Sequence, residues 1–151
     1  KKYDYIFLNG NSENVDDLKE QILRIDPEAD IYVGNYKALN IDEFDKNDKY
    51  LIFSGIGNHQ TFVAMIKNYG LKVISDMEFP DHYIYKNSDI EKILFEAKNL
   101  NCKIITTEKD YFRLNKIYFE KIKFIKSELQ IINEEKFINS IIKKWDLLNI
   151  L

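Results

Sequence analysis

The hydrophobic and polar positions of this chain follow two alternating periods, which predicts strands and helices in turn. Short apolar runs bounded by turn residues predict strands at 5–8, 29–36, 50–53, 72–79, 103–106, 124–125 and 129–132. Apolar residues at helical spacing predict helices over 15–25, 62–69, 90–97, 108–114 and 134–145. The pattern therefore predicts an α/β fold, a mostly parallel twisted sheet with helices on both faces, in one domain spanning residues 1–151.

Helix ends carry their own sequence signals. Asn58 can cap the second helix, and Gly70 suits the position just after it. His59 is expected to be an exposed residue of that helix's first turn. Ser88 and Glu91 predict a capping box at the start of the third helix.

The composition limits the classes of function that this chain can have. The 151 residues carry 22 Lys and Arg against 25 Asp and Glu, a formal charge of −3, so charge gives no case for binding nucleic acid. The single Cys102 excludes an internal disulfide and a cysteine-based zinc cluster, and it fits a reducing compartment. No apolar run approaches the roughly 20 residues of a membrane-spanning helix. The start at Lys1 without Met favours a fragment of a longer protein.

Three segments, 54–58, 79–83 and 106–110, place polar and ionisable residues where predicted strands end. Ligands of open α/β sheets bind outside the carboxyl ends of the strands, so these segments form the candidate site. Gly55 and Gly57 allow a sharp turn close to a ligand, and the helix that Asn58 caps offers free N–H groups to a phosphate. A tight structural turn explains the same residues equally well. Gln60 stands at the third glycine position of a dinucleotide fingerprint, which excludes that motif.

The second segment holds the side chain best suited to proton transfer. His82 follows Asp81 directly after Pro80, and a histidine oriented by a carboxylate is a common general base. Neighbours in an extended loop point in opposite directions, so Asp81 need not be the partner of His82. A hydrogen-bonded structural histidine is the competing interpretation, and the residues alone favour it.

The third segment combines two hydroxyls with three charges. Either Thr106 or Thr107 can cap the short helix that follows, and acidic residues in a first turn suit the helix dipole. Lys109 stands in that turn against the dipole preference, which indicates a specific partner, and Asp110 follows it.

In this order and at these separations, Ser54-Gly55-Ile56-Gly57-Asn58, Phe79-Pro80-Asp81-His82-Tyr83 and Thr106-Thr107-Glu108-Lys109-Asp110 resemble the C-terminal half of tetraacyldisaccharide 4′-kinase. The resemblance implies the Rossmann-like C-terminal domain that accompanies a P-loop kinase half, in a lipid kinase that uses ATP to phosphorylate the 4′ position of the lipid A disaccharide precursor. It implies a catalytic role for His82, with Asp81 beside it, in a pair with an aspartate of the N-terminal half. It also implies a turn near the nucleotide phosphates at Gly55, Gly57 and Asn58, and residues that brace the loops or approach ligand at Thr106, Thr107, Lys109 and Asp110. His59 stands where the family usually has Pro.

The 151 residues contain no Gly-x-x-x-x-Gly-Lys-Ser/Thr, the loop that cradles phosphate. The resemblance therefore implies ATP and Mg²⁺ in the complete enzyme, at the cytoplasmic face of the inner membrane. For this chain it implies no metal site, no tightly bound cofactor and no activity without the missing N-terminal P-loop half, in cis or in trans. Two alternatives stay open: a non-enzymatic module that binds a nucleotide or anion at the Gly55 and Gly57 turn, and a non-catalytic remnant of a split or decayed gene.

Overall fold

A computed structural model describes residue 3, residues 5–9 and residues 12–149, with backbone only for 12–14 and 147–149. The strands are β1 (Tyr5–Asn9), β2 (Asp30–Ala38), β3 (Lys49–Ser54), β4 (Lys72–Glu78), β5 (Lys103–Thr107), β6 (Ile122–Ile125) and β7 (Ser127–Ile131). The helices are α1 (Ser12–Ile25), α2 (His59–Asn68), α3 (Asn87–Leu100), α4 (Glu108–Tyr111) and α5 (Glu134–Asn149). Each predicted strand and helix is present, with ends that differ by a few residues. α4 ends at Tyr111, three residues before its predicted end.

The chain divides into two compact units, one formed by Lys1–Tyr36 with Leu129–Leu151 and the other by Lys37–Glu128. We call them the terminal unit and the central unit. The expectation of one domain over 1–151 stays a prediction.

The central unit is built on a four-stranded sheet with the order β4-β3-β5-β6. β3 pairs in parallel with β4 and with β5, and β5 pairs in parallel with β6. Side chains of a strand alternate between faces, so β3 contributes to two separate cores. On one face Tyr50 and Ile52 pack in a cluster with residues of α2; on the other, Leu51 and Phe53 pack in a cluster with residues of α3. The predicted fold class, a parallel sheet covered by helices on both faces, is confirmed.

Helix ends in the central unit confirm one prediction and correct another. Gly70 has φ of +83° after the end of α2, as a residue in that position requires. The predicted capping box at Ser88 and Glu91 is wrong. α3 begins at Asn87, and the Asp89 carboxylate accepts from the Lys86 backbone N–H at 2.9 Å. Only the carboxylate half of a capping box forms, because Asp89 stands three residues after Lys86 and reaches back to its N–H, whereas a lysine side chain has no acceptor to complete the box.

The terminal unit has a three-stranded sheet with the order β1-β2-β7, and β1 pairs in parallel with β2. α5 packs on it through Phe137, whose ring centroid lies 4.8 Å from that of Tyr32, and through Ser140, whose Oγ bonds the Tyr32 hydroxyl at 2.7 Å. Four large hydrophobic residues of α5 remain exposed, namely Ile138, Ile141, Ile142 and Trp145. Within the described residues, no helix combines the length and the apolar character needed to cross a bilayer.

Candidate functional site

The carboxyl ends of β3, β4 and β5 bring the three predicted segments together. The Gly55 N–H donates to Asp110 Oδ2 at 3.0 Å, which joins the first segment to the third. The His82 N–H donates to the Gly55 carbonyl at 3.1 Å, which joins the first to the second. A Cβ placed on Gly57 would lie 3.5 Å from Asp81 Oδ2. The site is contiguous because parallel strands end at one edge of the sheet.

Gly55 serves the packing of this edge. A Cβ there would lie 3.0 Å from Tyr85 Oη, 3.1 Å from Pro80 O and 3.1 Å from Tyr83 Cβ, so a larger residue would push segment 80–85 away. Its N–H is already taken by the Asp110 carboxylate. The Gly55 backbone therefore lies close to the protein's own loop, and its close approach to a ligand stays a prediction.

Asn58 and Gly57 form the exposed part of the same turn. Asn58 Oδ1 accepts from the Thr61 N–H at 3.0 Å, which confirms it as the cap of α2. Gly57 is exposed beside it.

Asp110 is fully buried and makes several hydrogen bonds in the third segment. Its Oδ2 accepts from the Thr107 hydroxyl at 2.7 Å, and its N–H donates to Thr107 Oγ1 at 3.1 Å. Thr107 is thus the cap of α4. Thr106 is also buried, and its hydroxyl donates to the Phe53 carbonyl at 2.8 Å, which ties β5 to β3. Lys109 is exposed in the first turn of α4.

Arg113 is a site residue that the sequence reasoning missed. It follows α4, and its Nη1 lies 3.3 Å from Asp110 Oδ1 and 3.4 Å from the Gly55 carbonyl. Its Nη2 lies 3.0 Å from His82 Nδ1. Two signals could have found it: the chain has only two arginines, Arg24 and Arg113, and Arg113 stands three residues after Asp110.

His82 presents its ring to solvent, with the side chain 78% exposed. Its N–H bonds Asp81 Oδ1 at 2.9 Å as well as Gly55, so Asp81 holds the backbone. The ring Nε2 lies 3.8 Å from Asp81 Oδ2, beyond hydrogen-bond distance. A guanidinium can only donate, so Nδ1 must accept from Arg113, and the proton of the neutral ring lies on Nε2.

Tyr85 lies behind the site. Burial first, and then the charge of Asp110, raise the pKa of Tyr85 far above its ordinary value. The phenol therefore stays protonated. Its buried hydroxyl meets hydrogen-bond geometry with no atom of the described residues.

The prediction that His59 is an exposed first-turn residue is wrong, because His59 is 1% exposed. Its Nδ1 lies 2.7 Å from Ser54 Oγ, and its Nε2 lies 3.0 Å from Asp76 Oδ1. The three side chains join β3, α2 and β4. Ser54 is completely buried and cannot meet a substrate, so this serine, histidine and aspartate form a structural brace.

Among the residues that the structure describes, no three His, Cys, Asp or Glu side chains lie close enough together to hold a metal ion.

Fold and site together define a class: an α/β protein whose parallel sheet carries a loop histidine, a glycine turn and a buried aspartate at its carboxyl edge. The family sequence model described as tetraacyldisaccharide-1-P 4′-kinase (LpxK) matches residues 1–146. The chain belongs to this family, as the ordered motifs predicted.

Curated relatives named tetraacyldisaccharide 4′-kinase are similar in sequence to this chain. The one from Pelagibacter ubique is 52% identical over 143 residues, which cover 95% of this chain and 46% of that protein. The one from Rickettsia typhi is 36% identical over 141 residues, 93% of this chain and 42% of that protein. A solved LpxK structure from Aquifex aeolicus, in complex with ATP, is 22% identical with a TM-score of 0.46, covering 93% of this chain and 52% of that one. The chain thus spans about half the length of these relatives.

Proposed function

We propose that this chain is the C-terminal half of an ATP-dependent tetraacyldisaccharide 4′-kinase, which phosphorylates the 4′ position of the lipid A disaccharide precursor. The observation that carries the proposal is the exposed His82 ring at the carboxyl edge of the central sheet, in a chain that belongs to this family over residues 1–146. The curated relatives carry the name of this kinase.

In this proposal His82 is the catalytic residue that the chain contributes. Its ring is accessible, and its backbone is fixed by two hydrogen bonds from one N–H. It would pair with an aspartate of the N-terminal half and help to activate the 4′-hydroxyl, either by relaying its proton or by orienting the aspartate. Asp81 supports it by holding the loop.

The remaining site residues divide into two groups by exposure. Gly57 and Asn58 stand at the exposed turn, and we assign them, with Gly55 beneath, to the neighbourhood of the nucleotide phosphates. Thr106, Thr107 and Asp110 brace the loops from buried positions, and the exposed Lys109 remains free to approach ligand.

ATP and Mg²⁺ belong to the other half in this account. The 151 residues hold no P-loop, and phosphoryl transfer depends on positioning and charge neutralisation around the phosphates. The chain alone is therefore expected to have no kinase activity and to bind neither ATP nor Mg²⁺ tightly. Its partners would be a P-loop half, in cis or in trans, and the lipid A disaccharide precursor at the cytoplasmic face of the inner membrane.

The test is 4′-kinase activity with ATP, Mg²⁺ and the tetraacyldisaccharide. The chain joined behind the upstream half of the Pelagibacter ubique relative should transfer phosphate, and the chain alone should not. A variant of the joined protein without the P-loop lysine is the control. Absence of transfer by the joined protein, with both halves folded, would contradict the proposal.

Isothermal titration of the chain alone with ATP and ADP separates the half-enzyme from a nucleotide-binding module. Tight binding of either nucleotide would favour the module, and the absence of binding would favour the half-enzyme.

A further inference from the structure

We propose that Arg113 is a positioning residue that fixes the ring orientation and tautomer of His82, so that the histidine offers an Nε2–H donor to the active site. This inference rests on the proposed function, because it gives the assigned catalytic histidine its working form.

Arg113 and His82 are in direct contact. Arg113 Nη2 lies 3.0 Å from His82 Nδ1, a normal hydrogen-bond distance. A guanidinium has five N–H donors and no acceptor, so a bond between these atoms requires a lone pair on Nδ1. The bond therefore admits only the ring that carries its proton on Nε2.

Arg113 is itself held in place by its neighbours. Its side chain is 28% exposed, and its Nη1 donates to the fully buried Asp110 carboxylate at 3.3 Å. The same Nη1 lies 3.4 Å from the Gly55 carbonyl, which also accepts the His82 N–H at 3.1 Å. One carbonyl thus anchors both the histidine backbone and the arginine that orients its ring.

The contact with Arg113 bears on whether His82 relays a proton or orients the partner aspartate. Nδ1 is engaged by Arg113, and Nε2 already carries the proton, so the ring has no free lone pair for accepting a proton. Asp81 Oδ2, at 3.8 Å from Nε2, does not occupy the donor. His82 in this form acts as a hydrogen-bond donor to an incoming carboxylate, which favours the orienting role.

A lysine cannot replace Arg113 in this role. The planar fork of arginine reaches Asp110 with one nitrogen and His82 with the other. A lysine ammonium is a single point, so Arg113→Lys keeps a cation beside Asp110 and loses the fixed contact with the ring.

The first part of the experiment is NMR spectroscopy of this chain. Two-bond ¹⁵N–¹H spectra at about pH 8, above the ordinary pKa of histidine, report which ring nitrogen carries the proton. Wild-type His82 should show protonated Nε2 and unprotonated Nδ1. Arg113→Lys should give a measurable population of the Nδ1-protonated form. His59, the other histidine, bonds Ser54 and Asp76 and is an internal reference that should not change.

A second variant carries both Arg113→Met and Asp110→Asn. Arg113→Met alone would leave the buried Asp110 carboxylate without its cation and would destabilise the fold, so Asp110→Asn removes that charge. Arg24→Met is the matched control, because Arg24 is the other arginine and forms an exposed i,i+4 pair with Glu20.

The kinetic arm uses the kinase joined to its P-loop half. Both Arg113 variants should lower kcat by about 10–100-fold with an unchanged KM for ATP, while Arg24→Met stays at the wild-type value. A wild-type His82 that carries its proton on Nδ1 would overturn the proposal. So would Arg113 variants with unaltered tautomer and kcat.

The two hypotheses fail differently. If the Arg113 variants shift the tautomer but His82→Asn leaves turnover intact, the catalytic role of His82 is overturned and the contact between Arg113 and the ring stands.

Discussion

At the scale of single residues, His82 shows the most unusual conformation in the candidate site. Its φ of 59° lies in the left-handed region, which is unfavourable for residues other than glycine and tolerated better by His and Asn. Such strain persists where surrounding contacts determine the backbone, and here one N–H bonds both Gly55 and Asp81. The conformation swings the ring toward Arg113 and solvent.

This strain gives a stability prediction. Because the His82 side chain is largely exposed, its removal loses little packing, and the backbone decides the outcome. His82→Gly should be more stable than His82→Ala by about 1 kcal/mol in urea unfolding. Lys92, exposed in α3, is the control, where Gly should be less stable than Ala by about 1 kcal/mol. An equal or reversed order at position 82 would show that the chain does not hold the left-handed form in solution.

The buried hydroxyl of Tyr85 gives a second prediction by comparison with Tyr50. Tyr85→Phe removes a buried hydroxyl that meets hydrogen-bond geometry with no atom of the described residues, although Asp110 lies close enough to raise its pKa, so stability should rise or fall by less than about 0.5 kcal/mol. Tyr50→Phe removes a hydroxyl that donates to the Asp45 carbonyl at 2.8 Å, so stability should fall by about 0.5–1.5 kcal/mol. Thermal or urea unfolding of the pair measures both, and a larger loss for Tyr85→Phe would contradict the site geometry.

Sequence reasoning worked at residues whose role is local. Asn58 and Gly70 act on the neighbouring backbone at the ends of α2, and their residue types alone predict this role. It failed at Arg113 and His59, because their partners are His82, 31 residues away, and Asp76, 17 residues away. Only the folded sheet brings those pairs together.

At the scale of elements, β3 is the best predicted part of the chain. Its unbroken apolar run indicated a strand buried on both faces, and it lies between β4 and β5 with its side chains shared by two cores. The start of α3 was mispredicted for a local reason: Ser88 and Glu91 have the spacing of a capping box, but Asp89, two residues before Glu91, supplies the carboxylate that reaches back to Lys86.

The brace between β3, α2 and β4 gives a third prediction. Ser54→Ala leaves the buried His59 Nδ1 without its partner, so the free energy of unfolding should fall by about 1–3 kcal/mol. Ser88→Ala, a change of an exposed side chain in the first turn of α3, should stay within about 0.5 kcal/mol of wild type. Urea unfolding of both variants is the measurement. A Ser54→Ala protein as stable as Ser88→Ala would show that the brace contributes nothing.

At the scale of the whole molecule, alternating periodicity was enough for the fold class, since strands separated by helices pair in parallel under a right-handed crossover. Strand order was not predictable, because every strand carries the same kind of apolar run. The pairing of β2 with β7 was not predictable either, since the two strands meet only in the folded sheet although about ninety residues separate them in the sequence. The meeting of the three polar segments was predictable, because each of them follows a strand that ends at the same edge of the sheet.

The most direct test of the central claim, that His82 is the catalytic contribution of this chain, is turnover of the joined kinase carrying His82→Asn. Asparagine tolerates the left-handed backbone and removes the imidazole, so the melting temperature should hardly change. We predict that kcat falls by about 10²–10⁴-fold with an unchanged KM for ATP. Turnover near the wild-type value, in a protein with unchanged melting temperature, would contradict the account.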